Sequence, residues 1–425
     1  MNINDNEINN LVTSLLANQD SRDLWDKRAQ WLLNLYDIDV TRDYRLACKQ
    51  NNIVQILPQF DEYISNLNDF TLVKWQNPNF LNSLVSLTYE LINLNDYEIA
   101  IIFLQDLLKV LPDDIFLNYE YGFVLLLTGE YRQSMHYFEK VLNKEKSFDT
   151  VLNLIIGNIY LLNMDKLTIY QNLLKELASN PDERTELANV NKIILRLQEY
   201  PSLKNIKNYR DWLYILYGNI LLVDFKSDKA MFNEYKPNLV EILTHIYILK
   251  RFFEALNISL ELFEYFDEDS HILAQLFALI FELPVEKVST EIKNAKNMLI
   301  VSNPHKITEV YHNYNKINNN QIIYFYSLPF SSALPIIPAV VNCITDKLNL
   351  PFTQISYGTK EYHDLMIKAQ DLVNNIETDC NSAIKIQQLI EYYELRQPNL
   401  ILENQDIFKD YVQYHGELKY LITAN

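Results

Sequence analysis

Glycine is scarce in this chain, and the scarcity limits its possible folds and sites more than any other feature. Six glycines occur in 425 residues, where average usage of about 7% would give roughly thirty. Dinucleotide-binding loops, Walker loops and nucleophile elbows all need glycine where the backbone turns tightly or approaches a phosphate. None of these motifs occurs. Gly122 and Gly129 instead lie seven residues apart in an apolar run. We expect Gly122 to mark a contact between two helices and Gly129 the turn that ends the first.

Charge and composition narrow the class of protein. Hydrophobic residues make up 48% of the chain, which indicates a globular fold rather than a disordered one. A formal charge of −18 repels phosphate backbones and anionic lipids, so we expect neither a nucleic acid nor a membrane as partner. The sequence shows no signal peptide, and Cys48, Cys343 and Cys380 match no disulfide or metal spacing. These features predict a cytoplasmic protein with reduced thiols.

A repeat occupies residues 81–181. Residues 81–112 align with 115–146 at a shift of 34 residues, and a third, weaker copy begins near residue 150. Aligned pairs include Leu87 with Tyr121, Thr88 with Gly122, Leu91 with Leu125, Tyr97 with Tyr131 and Ala100 with Ser134. Similarity at a fixed period indicates a solenoid of stacked helix pairs.

This repeat resembles the tetratricopeptide repeat (TPR) family. The resemblance rests on small residues at the expected helix crossings, on the "NDYEIA" and "GEYRQS" turns and on closing prolines: Thr88, Ala100, Gly122, Ser134, Gly157, Pro112 and Pro181. It implies that the first helix of each pair lines a groove that binds a protein partner. On this sequence the partner-binding residues are then Asn82, Val85, Tyr89, Phe116, Tyr119 and Phe123, and the third copy would add Val151, Leu154 and Asn158.

The residues at these groove positions indicate the kind of partner. Family members that clamp a carboxylate use Lys and Arg there, and this chain has neither at those positions. Aromatic anchors instead suit an apolar or helical segment of a partner protein. In the alternative interpretation, the same side chains pack against other parts of the protein and leave no open groove.

The C-terminal part changes character, because β-rich runs alternate with helical ones. The predicted strands are 259–266, 298–302, 322–327 and 352–356, with 400–403 and 419–423 as weaker candidates, and the predicted helices are 270–283, 304–317, 334–349 and 361–377. Such alternation is typical of a mostly parallel sheet with covering helices. We predict four regions: N-terminal helices (1–78), TPR-like repeats (79–181), a helical connector (182–256) and a Rossmann-like α/β domain (257–425).

Ligands of such sheets bind beyond the carboxyl ends of the strands, and polar loops follow the predicted strands. Asp267 and Asp269 could bind a cation or act in acid–base chemistry. Alternatively, Asp269 or Ser270 caps the following helix and the other carboxylates favour its dipole. Ser327 follows the third strand, but without a base arranged to activate it. Lys360 ends the loop "SYGTK", which could hold an anion or form a plain turn.

A second helical spacing bears on metal binding. His305, Glu309 and His312 share one helical face at i, i+4 and i+7, the spacing of possible metal ligands. The opposite face of the same segment is apolar, so a solvated polar face explains the pattern. We therefore predict no metal site, and the sequence identifies no cofactor.

Two functional hypotheses follow. The first is a cytoplasmic TPR-type interaction or adaptor protein that binds a partner through the aromatic groove. The alternative is a transferase-like enzyme whose α/β domain uses a nucleotide, sugar nucleotide or phosphorylated small molecule at the strand ends, with the repeats as receptor for a substrate protein. Its candidate catalytic residues are Asp267, Asp269, Ser327 and Lys360.

Overall fold

The computed structural model of the protein describes residues 85, 88–89, 92, 97–200, 202–206, 208–224, 232–288, 296–302, 321–330, 338–376 and 380–402. The chain divides into two compact units, Met1–Gly157 and Asn158–Asn425. Several predicted features lie outside the described residues: the N-terminal region 1–78, Asn82, the helix 304–317 with His305, Glu309 and His312, and the strand 419–423.

The first unit is built of consecutive helices joined by short turns. Its helices are α1 (Tyr97–Val110), α2 (Ile115–Leu127), α3 (Tyr131–Leu142) and α4 (Phe148–Tyr160), the last of which crosses into the second unit. The side chain of Asp114 caps α2 by accepting a hydrogen bond from the backbone N–H of Leu117. Gly129 adopts a φ of 84° in the turn after α2, a left-handed conformation that glycine reaches without strain. Its predicted role as a helix-ending turn is confirmed.

Small residues allow α2, α3 and α4 to approach one another closely. A Cβ atom at Gly122 would lie 3.3 Å from the ring of Phe138 on α3. Ser134, also on α3, donates a hydrogen bond of 2.6 Å to the carbonyl of Gly122. Gly157 on α4 faces Met135, whose Cε would lie 2.0 Å from an added Cβ atom. Gly122 and Gly157 are therefore contact points between helices, as the sequence predicts.

The second unit begins with helices α5 (Met164–Leu177), α6 (Pro181–Gln198), α7 (Tyr209–Tyr217) and α8 (Leu239–Ala255). Capping boxes fix the starts of α6 and α8, because Asn180 and Asn238 each exchange hydrogen bonds with a glutamate three residues later. Three further helices follow: α9 (Glu268–Phe281), α10 (Lys360–Ile376) and α11 (Cys380–Glu394).

A six-stranded parallel sheet forms the core of the second unit. Its strands lie in the order β1-β7-β6-β5-β3-β4, with β1 at Ile220–Leu221, β3 at Leu262–Tyr265, β4 at Val285–Lys287, β5 at Asn297–Val301, β6 at Ile322–Leu328 and β7 at Val340–Ile344. A small second sheet pairs β2 (Glu234–Tyr235) with β8 (Lys347–Leu348). Every residue of β5, β6 and β7 is buried, as parallel strands covered on both faces require. The predicted parallel α/β sheet is confirmed.

Three local predictions in this unit were wrong. The predicted helix 334–349 contains β7, and the predicted strand 352–356 forms turns. Residues 400–402 of the weaker candidate strand are not in a strand. The edge strand β1 comes from the predicted helical connector, since Ile220 and Leu221 pair with Val340 and Val341 of β7. In short, uniformly apolar runs such as these, the hydrophobic pattern of the sequence has no periodicity that distinguishes a strand from a helix.

A buried polar network joins the connector helices to α11. Asp211 on α7 accepts hydrogen bonds from the hydroxyls of Tyr200 (3.1 Å) and Tyr392 (2.8 Å). The guanidinium of Arg396 lies 4.1 Å from the ring centroid of Tyr392, at a distance that favours a cation–π interaction. The connector is thus part of the same compact unit as the sheet.

The strand order places a switch point at the carboxyl ends of β3 and β5. If β3 to β7 are renumbered 1 to 5 in chain order, they lie across the sheet in the order 2-1-3-4-5. This is a common order in doubly wound sheets. The chain passes from β3 to β4 on one side and then returns to β5 on the other side. Ligands of doubly wound sheets bind at this reversal, so it is the place to assess the predicted polar loops.

We predict that Gly122→Leu destabilises the first unit by about 1–3 kcal/mol, because the added side chain must displace the Phe138 ring. Removing that ring makes room, so in a Phe138→Ala background the same change should cost less. Hydrogen exchange of the α2 and α3 amides in the full chain measures both effects. Costs that simply add in the double variant would contradict the contact between these two residues.

Candidate functional site

An aromatic surface lies on the first unit and consists of Val85, Tyr89, Phe116, Tyr119 and Phe123. Tyr89 and Phe116 are 46% and 44% exposed, and their ring centroids are 6.4 Å apart. The other three side chains are half-buried. Phe116, Tyr119 and Phe123 follow one face of α2, because residues three and seven apart in a helix point in similar directions. The sequence analysis named all five, and the structure places them on neighbouring helical segments.

Contacts inside the unit hold Tyr119 in place. Its ring meets that of Phe138 edge to face, with centroids 5.5 Å apart, and its hydroxyl accepts a hydrogen bond of 3.0 Å from the amide of Asn153 on α4. Burial, together with the charges of Asp149 and Glu120, raises the pKa of the Tyr119 phenol. Tyr119 therefore supports the surface as well as lining it, while Tyr89 and Phe116 supply most of the exposed aromatic area.

The surface does not continue onto α4. Val151, Leu154 and Asn158 were expected to extend it in the third copy, but all three side chains are buried. On this helix the side chains at the expected groove positions are therefore not open to a partner. The accessible part of the predicted groove is limited to the first two copies.

Two carboxylates adjoin the aromatic surface, and the sequence analysis missed both. Glu120 lies one turn after Phe116 on α2 and is 8% exposed. Burial raises its pKa to about 7. Asp149 is exposed in the first turn of α4. The spacing of Glu120 could have indicated its place in the site, since it follows Phe116 at i+4, on the same side of the helix.

The switch point of the sheet carries the loop with Asp267 and Asp269. The Asp267 carboxylate accepts a hydrogen bond of 2.8 Å from the backbone N–H of Ser270 and so caps α9. Glu268 and Asp269 lie in the first turn of that helix. Three carboxylates at a helix N-terminus stabilise the helix dipole and oppose a bound phosphate. The loop does cap the helix, but the prediction of Asp269 or Ser270 as the cap was wrong, because the capping side chain is that of Asp267.

The structure brings two of the predicted polar loops together. The ring of His271, on α9, stacks between Tyr265 at the end of β3 and Tyr357 of the "SYGTK" loop, with centroid distances of 4.0 and 4.1 Å. Burial lowers the pKa of His271 and so favours the neutral imidazole. Tyr357 is 51% exposed, and Lys360 is the exposed first residue of α10. The Tyr357 ring of the "SYGTK" loop thus covers the His271 ring.

Ser327 does not join this group. It lies in β6, opposite Cys343 of β7, and is fully buried. A nucleophile must reach its substrate, and burial between strands does not suit that role. Across the described part of the chain, no group of three or more His, Cys, Asp or Glu residues is placed to hold a metal ion.

Comparison with known proteins assigns the chain to no family. No protein-family model matches it, and no curated protein gives a significant match. Within the described ranges, no helix is both long and apolar enough to cross a membrane. The aromatic surface and its neighbouring charges are therefore the basis for a functional proposal.

We predict that Glu120→Gln stabilises the first unit in a pH-dependent way. The pKa of Glu120 is higher in the folded state, so the wild type loses stability as pH rises from about 4.5 to about 7, whereas glutamine does not titrate. The gain should be near zero at pH 4 and at most about 3 kcal/mol above pH 7. Thermal unfolding at several pH values measures it. The exposed Glu145→Gln variant is the control, and an equal gain at every pH would contradict this expectation.

For the α9 loop, we predict that Asp267→Ala lowers the free energy of unfolding by about 1 kcal/mol, because the helix loses its cap. Asp267→Asn keeps an acceptor in the same place and should cost only a few tenths of that. Hydrogen exchange of the first α9 amides gives the comparison. Equal losses in the two variants would show that the negative charge, rather than the cap, is what matters.

Proposed function

We propose that the protein is a cytoplasmic interaction protein that binds a partner protein through its aromatic surface. The observation that carries this proposal is the exposed pair of Tyr89 and Phe116, two adjacent rings that remain nearly half exposed. Tyrosine and other aromatic residues are common energetic anchors at the centres of protein interfaces. Covering the exposed half of each ring would remove roughly 100 Å² from water, or about 2–3 kcal/mol per ring.

We further propose that the helix pairs of the first unit are TPR-like repeats. The 34-residue period, the contacts at Gly122 and Gly157 and the left-handed turn at Gly129 support this assignment. In such an array, each pair packs on its neighbours and the first helices share a common face. That face is where the aromatic surface lies.

The charges at the switch point favour this function over the enzyme alternative. A nucleotide or sugar nucleotide brings phosphate to the start of a helix in doubly wound sheets. Here the start of α9 carries Asp267, Glu268 and Asp269, and the adjoining space holds the rings of His271 and Tyr357. Asp267, Asp269, Ser327 and Lys360 show no arrangement that combines an accessible nucleophile with a base.

We expect a photo-reactive amino acid at position 116 to crosslink a partner protein in the cells that produce the chain. The same group at position 169, an exposed apolar site on α5, is the matched control. The crosslinked protein is then purified, and its affinity is measured with the wild type and with single variants. Phe116→Ala and Tyr89→Ala should weaken binding about tenfold or more, and Ile169→Ala should not.

Circular dichroism of the same variants separates binding from folding. Both rings are largely exposed, so their removal should leave the helical signal unchanged. Unaltered affinity of Phe116→Ala for the purified partner, or loss of helical structure in that variant, would overturn the assignment of the surface.

A further inference from the structure

Basic side chains are absent from alternate helices of the repeat region. Residues 81–95, 112–131 and 147–165 contain no Lys or Arg, and these ranges include the helical segments that carry the aromatic surface. The basic residues stand on the intervening helices, at Lys109 on α1, Arg132 and Lys140 on α3, and Lys166 and Lys175 on α5. Two more lie in the turn before α4, where Lys144 forms an ion pair with Asp113 and Lys146 is exposed. The helices of the aromatic surface therefore present aromatic and acidic side chains with no cation among them.

Glu120 and Asp149 bring this negative charge to the aromatic rings. Glu120 follows Tyr119 directly on α2, and Asp149 lies one turn before Asn153, whose amide bonds the Tyr119 hydroxyl, so both carboxylates lie near the surface. Glu120 is nearly buried and its pKa is raised by that burial, so its ionised form is costly in the free protein. A cation delivered from outside would relieve that cost. Asp149 is exposed and available to a second cation.

The geometry of α2 suits a helical ligand. Phe116 and Phe123 are separated by two helical turns, about 10 Å along the axis. An amphipathic helix presents its own apolar side chains at i, i+3, i+4 and i+7 over the same length. A second copy of this chain is a poor occupant, because two molecules of charge −18 repel each other. An acidic segment would meet Glu120 and Asp149 on helices that carry no Lys or Arg of their own.

We infer that the segment that occupies the aromatic surface is a basic amphipathic helix of a partner protein, with apolar side chains on Tyr89 and Phe116 and with Lys or Arg directed to Glu120 and Asp149. This inference rests on the proposed function, since it specifies the chemistry of the partner at the same surface. Attraction between unlike charges at a surface is screened by salt, so binding should weaken as the salt concentration rises.

The test uses a displayed library of amphipathic helices with a fixed apolar stripe and with flanking positions that encode Lys, Arg, Gln or Glu. The library is selected on the full chain, and binders are counted only if the Phe116→Ala variant fails to hold them. We expect Lys and Arg to exceed Glu at the flanking positions by about tenfold, which corresponds to about 1.4 kcal/mol.

Charge variants then locate the attraction. In a repeat selection on Asp149→Lys, the enrichment of Lys and Arg should fall or reverse, and Glu120→Gln should reduce it. Glu176→Lys changes the net charge by the same amount at an exposed site on α5, so it should leave the enrichment unchanged. Equal effects of Asp149→Lys and Glu176→Lys would overturn the inference, because the preference would then reflect net charge alone.

The selection also separates this inference from the proposed function. Binders that depend on Phe116 but show no preference for basic residues would overturn the basic helix and leave the aromatic surface as a binding site. A library that yields no Phe116-dependent binder would overturn both. Phe116-dependent binders rich in Lys and Arg, with affinity lowered by salt, support both.

Discussion

The contact between the Phe138 ring and the backbone of Gly122 determines how α2 is presented. Because Gly122 has no side chain, the ring lies 3.3 Å from where a Cβ atom would be, and Ser134 donates a hydrogen bond to the buried Gly122 carbonyl. These contacts fix which face of α2 turns inward. Phe116 is then left exposed, while Tyr119, between it and Gly122, packs on Phe138. A bulkier residue at position 122 would rotate or separate the helices, so the aromatic surface depends on this one absent side chain.

The same helix carries a group that lowers the stability of the free protein. Glu120 is nearly buried, and its raised pKa means that ionisation above about pH 7 costs free energy. Buried carboxylates are normally paired, because an unpaired charge loses its hydration. A neutral glutamine would fill the same space without this cost. A cation supplied by a partner would account for both the residue type and its position next to Phe116. Binding would then offset the free energy that ionised Glu120 costs in the free protein.

Much of this architecture could be predicted from the sequence, and the failures have specific physical causes. The helix pairs and the roles of Gly122 and Gly129 follow from the repeat, because a crossing or a left-handed turn demands a small residue at a fixed register. The strands β3, β5 and β6 follow from β-branched and aromatic runs. In contrast, β7 lies in a uniformly apolar run, and β1 is two residues long and gains its partner from residues 340–341. The burial of Val151 and Leu154 could not be predicted from the sequence either. The repeat pattern indicates which helix face they occupy, but not what covers that face.

The parallel sheet shows why a recognisable fold does not by itself indicate a reaction. Its switch point has the strand order that elsewhere accommodates nucleotides, yet the side chains there are engaged with one another. Asp267 caps α9, Ser270 and Ser302 share a buried hydrogen bond, and His271 is enclosed by Tyr265 and Tyr357. A ligand entering this space would have to displace the stacked Tyr357 ring and place its charge against three carboxylates. An anionic ligand meets unfavourable electrostatics at that helix start, and for this reason we assign the proposed function to the surface where exposed rings adjoin Glu120 and Asp149.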